Sequence, residues 1–159
     1  SALRAAGLPA DSAALRRAAS FLVSHQLPDG GWGETIESCR RGTYASTPEG
    51  QVVMTSWAVL SLLQTEMADS EPVRAGLRFL QDRQRADGSW PDEAIAGVFN
   101  RTCAITYDNY RKIFGLWALG AADVRLNADM TVQGLPRGRR ASASKSWDCW
   151  RSASRESLC

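Results

Sequence analysis

The sequence predicts an all-α fold assembled from repeated helical hairpins, and three observations carry that prediction. Residues 21–32 (FLVSHQLPDGGW) and 79–90 (FLQDRQRADGSW) share Phe-Leu, Gln, Gly and Trp in one unbroken register, with Asp29 repeated as Asp87. A repeat of this size signals stacked units, none of which can bury its apolar face alone. Half-exposed, amphipathic segments alternate with segments that are apolar nearly all round. Glycine and proline clusters separate them.

Taken in order, residues 10–26 read as a capped helix. Asp11 or Ser12 can accept the free N–H groups of the first turn, and Leu15, Ala18, Ala19 and Leu22 recur at helical spacing. Pro28 and the Asp-Gly-Gly of 29–31 stop it. Residues 34–50, punctuated by Gly42, Pro48 and Gly50, read as a loop. A second helix over 51–67 (Val52, Val53, Met54, Trp57, Val59, Leu60, Leu62, Leu63) must be covered on most sides. Ser70 or Asp69 is the expected cap of a third helix over 71–85, whose outer face carries Arg74, Arg78, Asp82 and Arg83. A long loop over 86–103 leads to a fourth helix over 104–120, which Gly120 is expected to end. A barrel of helical hairpins needs such alternation of outer and inner helices. Periodicity alone does not separate that barrel from an α-solenoid.

Residues 121–159 differ. Rich in Ser, Ala and Arg, with the run Arg137-Gly138-Arg139-Arg140, they show no sustained period. They read as a disordered tail or a non-native end, with a basic binding tail as the alternative.

Composition narrows the function classes. At 44% hydrophobic, 23% charged and net +2, the chain is ordinary for a soluble globular protein. In residues 1–120 no basic stripe with interleaved aromatics points to nucleic acid. The longest apolar stretch, at 52–63, is too short and hydroxyl-rich to span a bilayer. Cys39, Cys103, Cys149 and Cys159 lie far apart, and with the lone His25 they make neither a zinc site nor a disulfide framework. A reduced, intracellular setting is the expectation.

The Gln26–Trp32 and Gln84–Trp90 pairs read as structural. A Gln amide near a helix end can bond the unpaired backbone groups of a neighbouring helix terminus, and a Trp ring after the turn can stack on that amide. Together these motifs carry a resemblance. Arg17…Phe21-Leu22…Gln26…Gly30-x-Trp32 and Arg74-x-Gly76…Phe79-Leu80…Gln84…Gly88-x-Trp90 resemble the QW repeats of the squalene and oxidosqualene cyclase superfamily. GVFNRTCAITYDNYRKIF at 97–114, followed by Leu116–Gly120, is similar to the C-terminal segment of the sterol-forming oxidosqualene cyclases. Gly115 stands where that family usually has proline, and the first repeat lacks the glycine that Gly76 supplies in the second.

The resemblance implies that residues 1–120, with QW repeats at 17–32 and 74–90, are the C-terminal part of an (α/α)6 barrel. It implies an enzyme that folds (3S)-2,3-oxidosqualene in a dry cavity and protonates the epoxide with a buried aspartic acid. A carbocation is then guided to lanosterol, cycloartenol or a related triterpene, with no cofactor and no metal. Phe99 and Tyr107 match family positions whose rings face the cavity, and Cys103 and Ile105 are expected wall residues. On residue types alone, Phe99 and Tyr107 would be ordinary core aromatics. The family's Asp-Cys-Thr-Ala-Glu acid motif is absent from the sequence. The fragment alone is therefore expected to be inactive and poorly packed. A non-catalytic, pseudogene-like fragment or a helical-repeat scaffold is the alternative. The family also implies one leaflet of the endoplasmic reticulum membrane, or a lipid droplet, as a monotopic location.

The remaining residues take ordinary roles. Trp57 and Trp117 are expected to pack the core, with a place near the cavity as the alternative for Trp117, Tyr110 to be structural, and His25 to lie on a wet helix face. Asp29, Asp87, Asp92 and Glu93 are expected to make local hydrogen bonds in turns, and none is the expected acid. Protein prenyltransferase β subunits need an Asp/Cys/His zinc site, and class II diterpene cyclases an Asp-x-Asp-Asp motif. This sequence offers neither.

Overall fold

The chain begins with one short helical turn, α1 (Ala2–Ala5), and then builds two helical pairs in series. The structure, a computed structural model, describes residues 2–94, 97–99 and 103–132. Residues up to 127 form one compact unit. Of the second unit, 128–159, the described part is the helical end 128–132, so the rest of the expected tail lies outside the described residues.

Helix α2 (Ala13–Ser24) is capped by Ser12, whose hydroxyl accepts the N–H of Leu15 at 3.5 Å. Its buried side is narrow, Leu15 and Ala19, with Leu22 and Val23 partly covered. Helix α4 (Val52–Leu62) is the core of the molecule. None of its residues is exposed, and Val52, Val59 and Leu62 are fully buried. Side chains of this size contribute about 1.5–3 kcal/mol each when buried. Its interior hydroxyls are satisfied: Ser56 Oγ donates to the Val52 carbonyl at 2.6 Å, and Thr55 Oγ1 accepts the Trp32 N–H at 2.9 Å. Helix α5 (Glu71–Asp82) lies on α4 through Val73, Gly76, Phe79 and Leu80.

Five expectations are corrected. The 34–50 loop contains α3 (Ile36–Arg41), capped by Thr35 Oγ1 on the Glu37 N–H at 3.3 Å and closed by Gly42 at φ 68°. Ser70 occupies the cap position of α5, but its hydroxyl is buried without a hydrogen-bond partner, and Asp69 pairs instead with Arg74. The stretch expected to be loop and then helix contains an antiparallel pair, β1 (Gly97–Phe99) and β2 (Cys103–Ile105). The last helix, α6 (Asp108–Val132), therefore starts at Asp108 rather than 104. It also runs through Gly120 to Val132. Ala118, Ala122 and Leu126 continue one covered face across the glycine, and a mid-helix glycine costs only about 1 kcal/mol against alanine. Residues 121–132 are thus helical, where a structureless tail was expected.

Candidate functional site

Two features can carry function, the repeated turns and the paired strands that follow the second of them. The turns are built alike. In the first, Leu27 N–H donates to the Gly31 carbonyl and Gly30 N–H to the Leu27 carbonyl. At the equivalent places in the second, Arg85, Ser89 and Gly88 make the same bonds at 2.8 Å. Gly30 and Gly88 take the left-handed φ of 84° and 82° that the turn needs. Asp29 and Asp87 each accept the N–H two residues on at 2.9 Å. The Ser89 contacts hold the Asp87 carboxyl below its ordinary value.

The Gln and Trp side chains divide the work differently from expectation. Trp32 Nε1 donates to the Leu22 carbonyl at 2.7 Å and Trp90 Nε1 to the Leu80 carbonyl at 2.8 Å. These carbonyls lie in the last turns of α2 and α5, so in both repeats the indole ties the turn back to the end of its own helix. Gln26 and Gln84 donate across their own turns, to the Gly30 and Gly88 carbonyls at 2.8 and 3.0 Å. Gln26 also reaches the Pro72 carbonyl in the first turn of α5 at 2.9 Å.

Each Trp ring is seated on a glycine. A Cβ at Gly76 would lie 2.9 Å from Cζ3 of Trp32 and 2.8 Å from Cγ2 of Val59. At Gly115 a Cβ would lie 2.9 Å from Cη2 of Trp90. The residue at 115, where this sequence departs from the family's usual proline, is thus the seat of the second ring.

The strands leave from the end of the second turn. Their register is Gly97↔Ile105, Val98↔Ala104 and Phe99↔Cys103. This brings Phe99 and Cys103 opposite each other, although the Phe99 side chain lies outside what the structure describes. Cys103 is exposed and Ile105 half-buried, while Tyr107 is 48% exposed. Ile105 and Tyr107 share a small pocket with Glu93, Tyr110 and Arg111. From Tyr107 a line of rings continues along α6. Tyr107 stacks on Tyr110 (4.7 Å), Tyr110 and Trp57 meet Phe114 edge-on (5.3 and 5.4 Å), and Phe114 stacks on Trp117 (6.0 Å). Trp117 is 59% exposed, so of its two expected places the packed core is excluded. An open aromatic line of this kind presents electron-rich faces, each of which stabilises a desolvated cation by about 0.5–2 kcal/mol.

Sequence reasoning missed the roles of Asp92 and Glu93. Among the described residues, the partners of both lie far away along the chain. Asp92 pairs with Arg111 of α6, and Glu93 Oε2 accepts the N–H of Val52 at the start of α4 at 2.6 Å. Burial pushes the Glu93 carboxyl above its ordinary value, against the Val52 and Val53 amides and the Arg83 and Arg111 guanidinium groups. Partners so far apart along the chain leave no signal in a local pattern. His25 lies against Phe21 and Tyr44, with ring centroids 4.2 Å from each.

The fold and its repeated turns define a helical-repeat domain of the terpene-cyclase class. The squalene-hopene cyclase C-terminal domain family matches residues 1–124, and the chain belongs to that family. It is 46% identical over 108 residues to lanosterol synthase from Homo sapiens, covering 68% of this chain and 15% of that protein. It is 41% identical over 110 residues to the lanosterol synthase of Saccharomyces cerevisiae, covering 69% and 15%. Against the cycloartenol synthase of Dictyostelium discoideum it is 45% identical over 87 residues, covering 55% and 12%. The chain thus spans about 15% of the length of the curated relatives it matches.

Proposed function

We propose that this chain forms the late part of the cavity wall of an oxidosqualene cyclase. The polypeptide that contains it would convert (3S)-2,3-oxidosqualene to a tetracyclic sterol precursor of the lanosterol or cycloartenol kind. The observation that supports this best is the pair of short strands followed by Tyr107 and the ring line of α6, set in a chain 46% identical to a lanosterol synthase.

The roles divide by chemistry. Tyr107 and Phe99 supply π faces to the migrating charge. Ile105 and Cys103 give it apolar surface without a competing nucleophilic oxygen. Such a wall keeps water from the cation, since one water molecule would quench the cascade early. The initiating acid is not among these residues: Glu93 is committed to the α4 amides, and Asp92 to Arg111. Residues 1–159 by themselves therefore should not turn over oxidosqualene.

For an apolar substrate, delivery from one leaflet of a membrane is the consistent route. We place the working enzyme as a monotopic protein at the endoplasmic reticulum or a lipid droplet. Among the described residues no helix is long and apolar enough to cross a membrane.

The test is product analysis on the cyclase that contains this segment. Phe99→Ala and Tyr107→Ala should leave oxidosqualene consumption in place while diverting product to partially cyclised or differently deprotonated triterpenes. An unchanged product profile in both variants would remove these residues from the cavity. It would favour a non-catalytic repeat scaffold.

A further inference from the structure

Helix α4 begins without a local cap. Gln51 holds the N-cap position, yet its side chain makes no capping bond. The first N–H groups of a helix left unpaired in the interior are costly, and the N-terminus carries a partial positive charge. Glu93 answers both. Its side chain is only 8% exposed, and Oε2 accepts the Val52 N–H at 2.6 Å. The next residue is held from the other direction: Gln51 Nε2 donates to the Ala94 carbonyl at 3.1 Å. The residue before it, Asp92, pairs with Arg111, which also lies 4.0 Å from Asp108 at the start of α6. Residues 92–94 are therefore tied to α4 by two hydrogen bonds and to α6 by an ion pair. The strands leave from this segment and return to α6 through Tyr107.

We propose that Glu93, with Gln51, is a positioning latch that fixes β1 and β2 against the N-terminus of α4, and so sets the attitude of the wall residues Cys103, Ile105 and Tyr107. The functional part of this inference rests on the cavity-wall reading above; the latch itself does not. A positioning role fits the placement of Oε1, which lies 3.9 Å from Arg83 Nη1 and accepts no hydrogen bond. The carboxylate spends its one short contact on the backbone of α4. The charged groups around it come from the end of α5 (Arg83) and from α6 (Arg111); both pull its carboxyl down against the larger upward push of burial, and Oε2 can accept the Val52 N–H in either protonation state. The cap is supplied from the chain segment that bears the strands, so it closes only when that segment is docked. A cap and a docking contact are the same bond.

Amide hydrogen exchange on the full 159-residue chain tests this without reading catalysis. Glu93→Ala should raise exchange roughly tenfold or more at the Val52 amide and at the paired amides of β1 and β2, as loss of a helix cap does. The Phe79 and Leu80 amides of α5 should hold within a few-fold. Glu93→Gln retains an acceptor oxygen for the Val52 N–H and should restore most of the protection. Should Glu93→Ala not fold, Gln51→Ala cuts the same latch at Ala94 and should loosen the strands selectively. Unchanged strand protection, a uniform rise across α4 and α5, or Glu93→Gln behaving as the alanine variant would each overturn the latch. Since no turnover is measured, failure here leaves the cavity reading standing. Failure of the product test leaves the latch standing.

Discussion

The two repeats share a turn and differ in what they touch. In the first, the turn is engaged and the helix ring is not. Gly30 is buried against the Ala75 backbone, where a Cβ would lie 2.8 Å from the carbonyl oxygen, and Gln26 bonds into α5. Phe21, by contrast, is 51% exposed. In the second repeat the relation reverses. Phe79 is 5% exposed, its ring lying on Gly31 and Gly50, where a Cβ on either would come within 3 Å. Nothing lies within 4 Å of a Cβ at Gly88, and the Gln84 bond faces solvent. The lesson is polarity: the helix of one unit seats on the turn of the unit before it. His25 and Arg83 follow the same rule. Arg83 sits 4.6 Å above the Phe79 ring and reaches back to Glu49 at 3.0 Å, whereas His25 finds only Phe21 and Tyr44.

The phenylalanines should break this comparison most decisively if it is wrong. Phe79→Ala removes a buried ring and should cost about 3–5 kcal/mol, while Phe21→Ala should cost under about 1 kcal/mol. Urea unfolding of the two variants side by side checks it, and equal losses would refute the polarity. The next effect is steric. Gly76→Ala drives a methyl into Trp32 and Val59 and should cost about 1–3 kcal/mol by the same measurement. Gly88→Ala has open space and bears only the strain of its left-handed φ, roughly 1 kcal/mol. A smaller difference separates the amides. Gln26→Ala loses two partly buried bonds and should cost about 1–2 kcal/mol, against about 0.5 kcal/mol or less for Gln84→Ala.

The smallest effect is one of pH. Burial raises the Glu93 carboxyl in the folded state above its ordinary 4.5, so the protonated form favours folding. Its contribution is full below pH 4.5 and is lost as pH rises through the raised folded value. The stability of Glu93→Gln relative to the parent should therefore climb with pH across that window. The Asp87 carboxyl, lowered below 3.8, acts in the opposite sense and in a lower range. A flat difference between parent and variant would show that Glu93 is not held as described.

What the sequence reveals follows from the range of the forces involved. The repeat held in one register and the all-apolar run at 52–63 are local patterns, and they made the helical pairs and the turns readable. Gly115 read as a departure from the family; in this chain the Trp90 ring fills the space a Cβ would take there, 2.9 Å away. The strands at 97–99 and 103–105 were missed because such short strands carry too little alternation to compete with a helical reading. The helix beyond Gly120 was missed because one glycine was read as a stop, although Ala122 and Leu126 keep the covered face going. The proposed cavity wall rests on resemblance alone: nothing local in Cys103, Ile105 or Tyr107 distinguishes a cavity wall from a core. The role of Glu93 was hidden by distance along the chain.

One measurement bears most directly on the central claim that this chain is a working cavity wall. Residues 1–124 would replace the matching segment of the Saccharomyces cerevisiae lanosterol synthase, and the chimera would be supplied with oxidosqualene. The account predicts a tetracyclic sterol precursor as the main product. A folded chimera that binds oxidosqualene but releases it unreacted, or yields only early-quenched products, would contradict it.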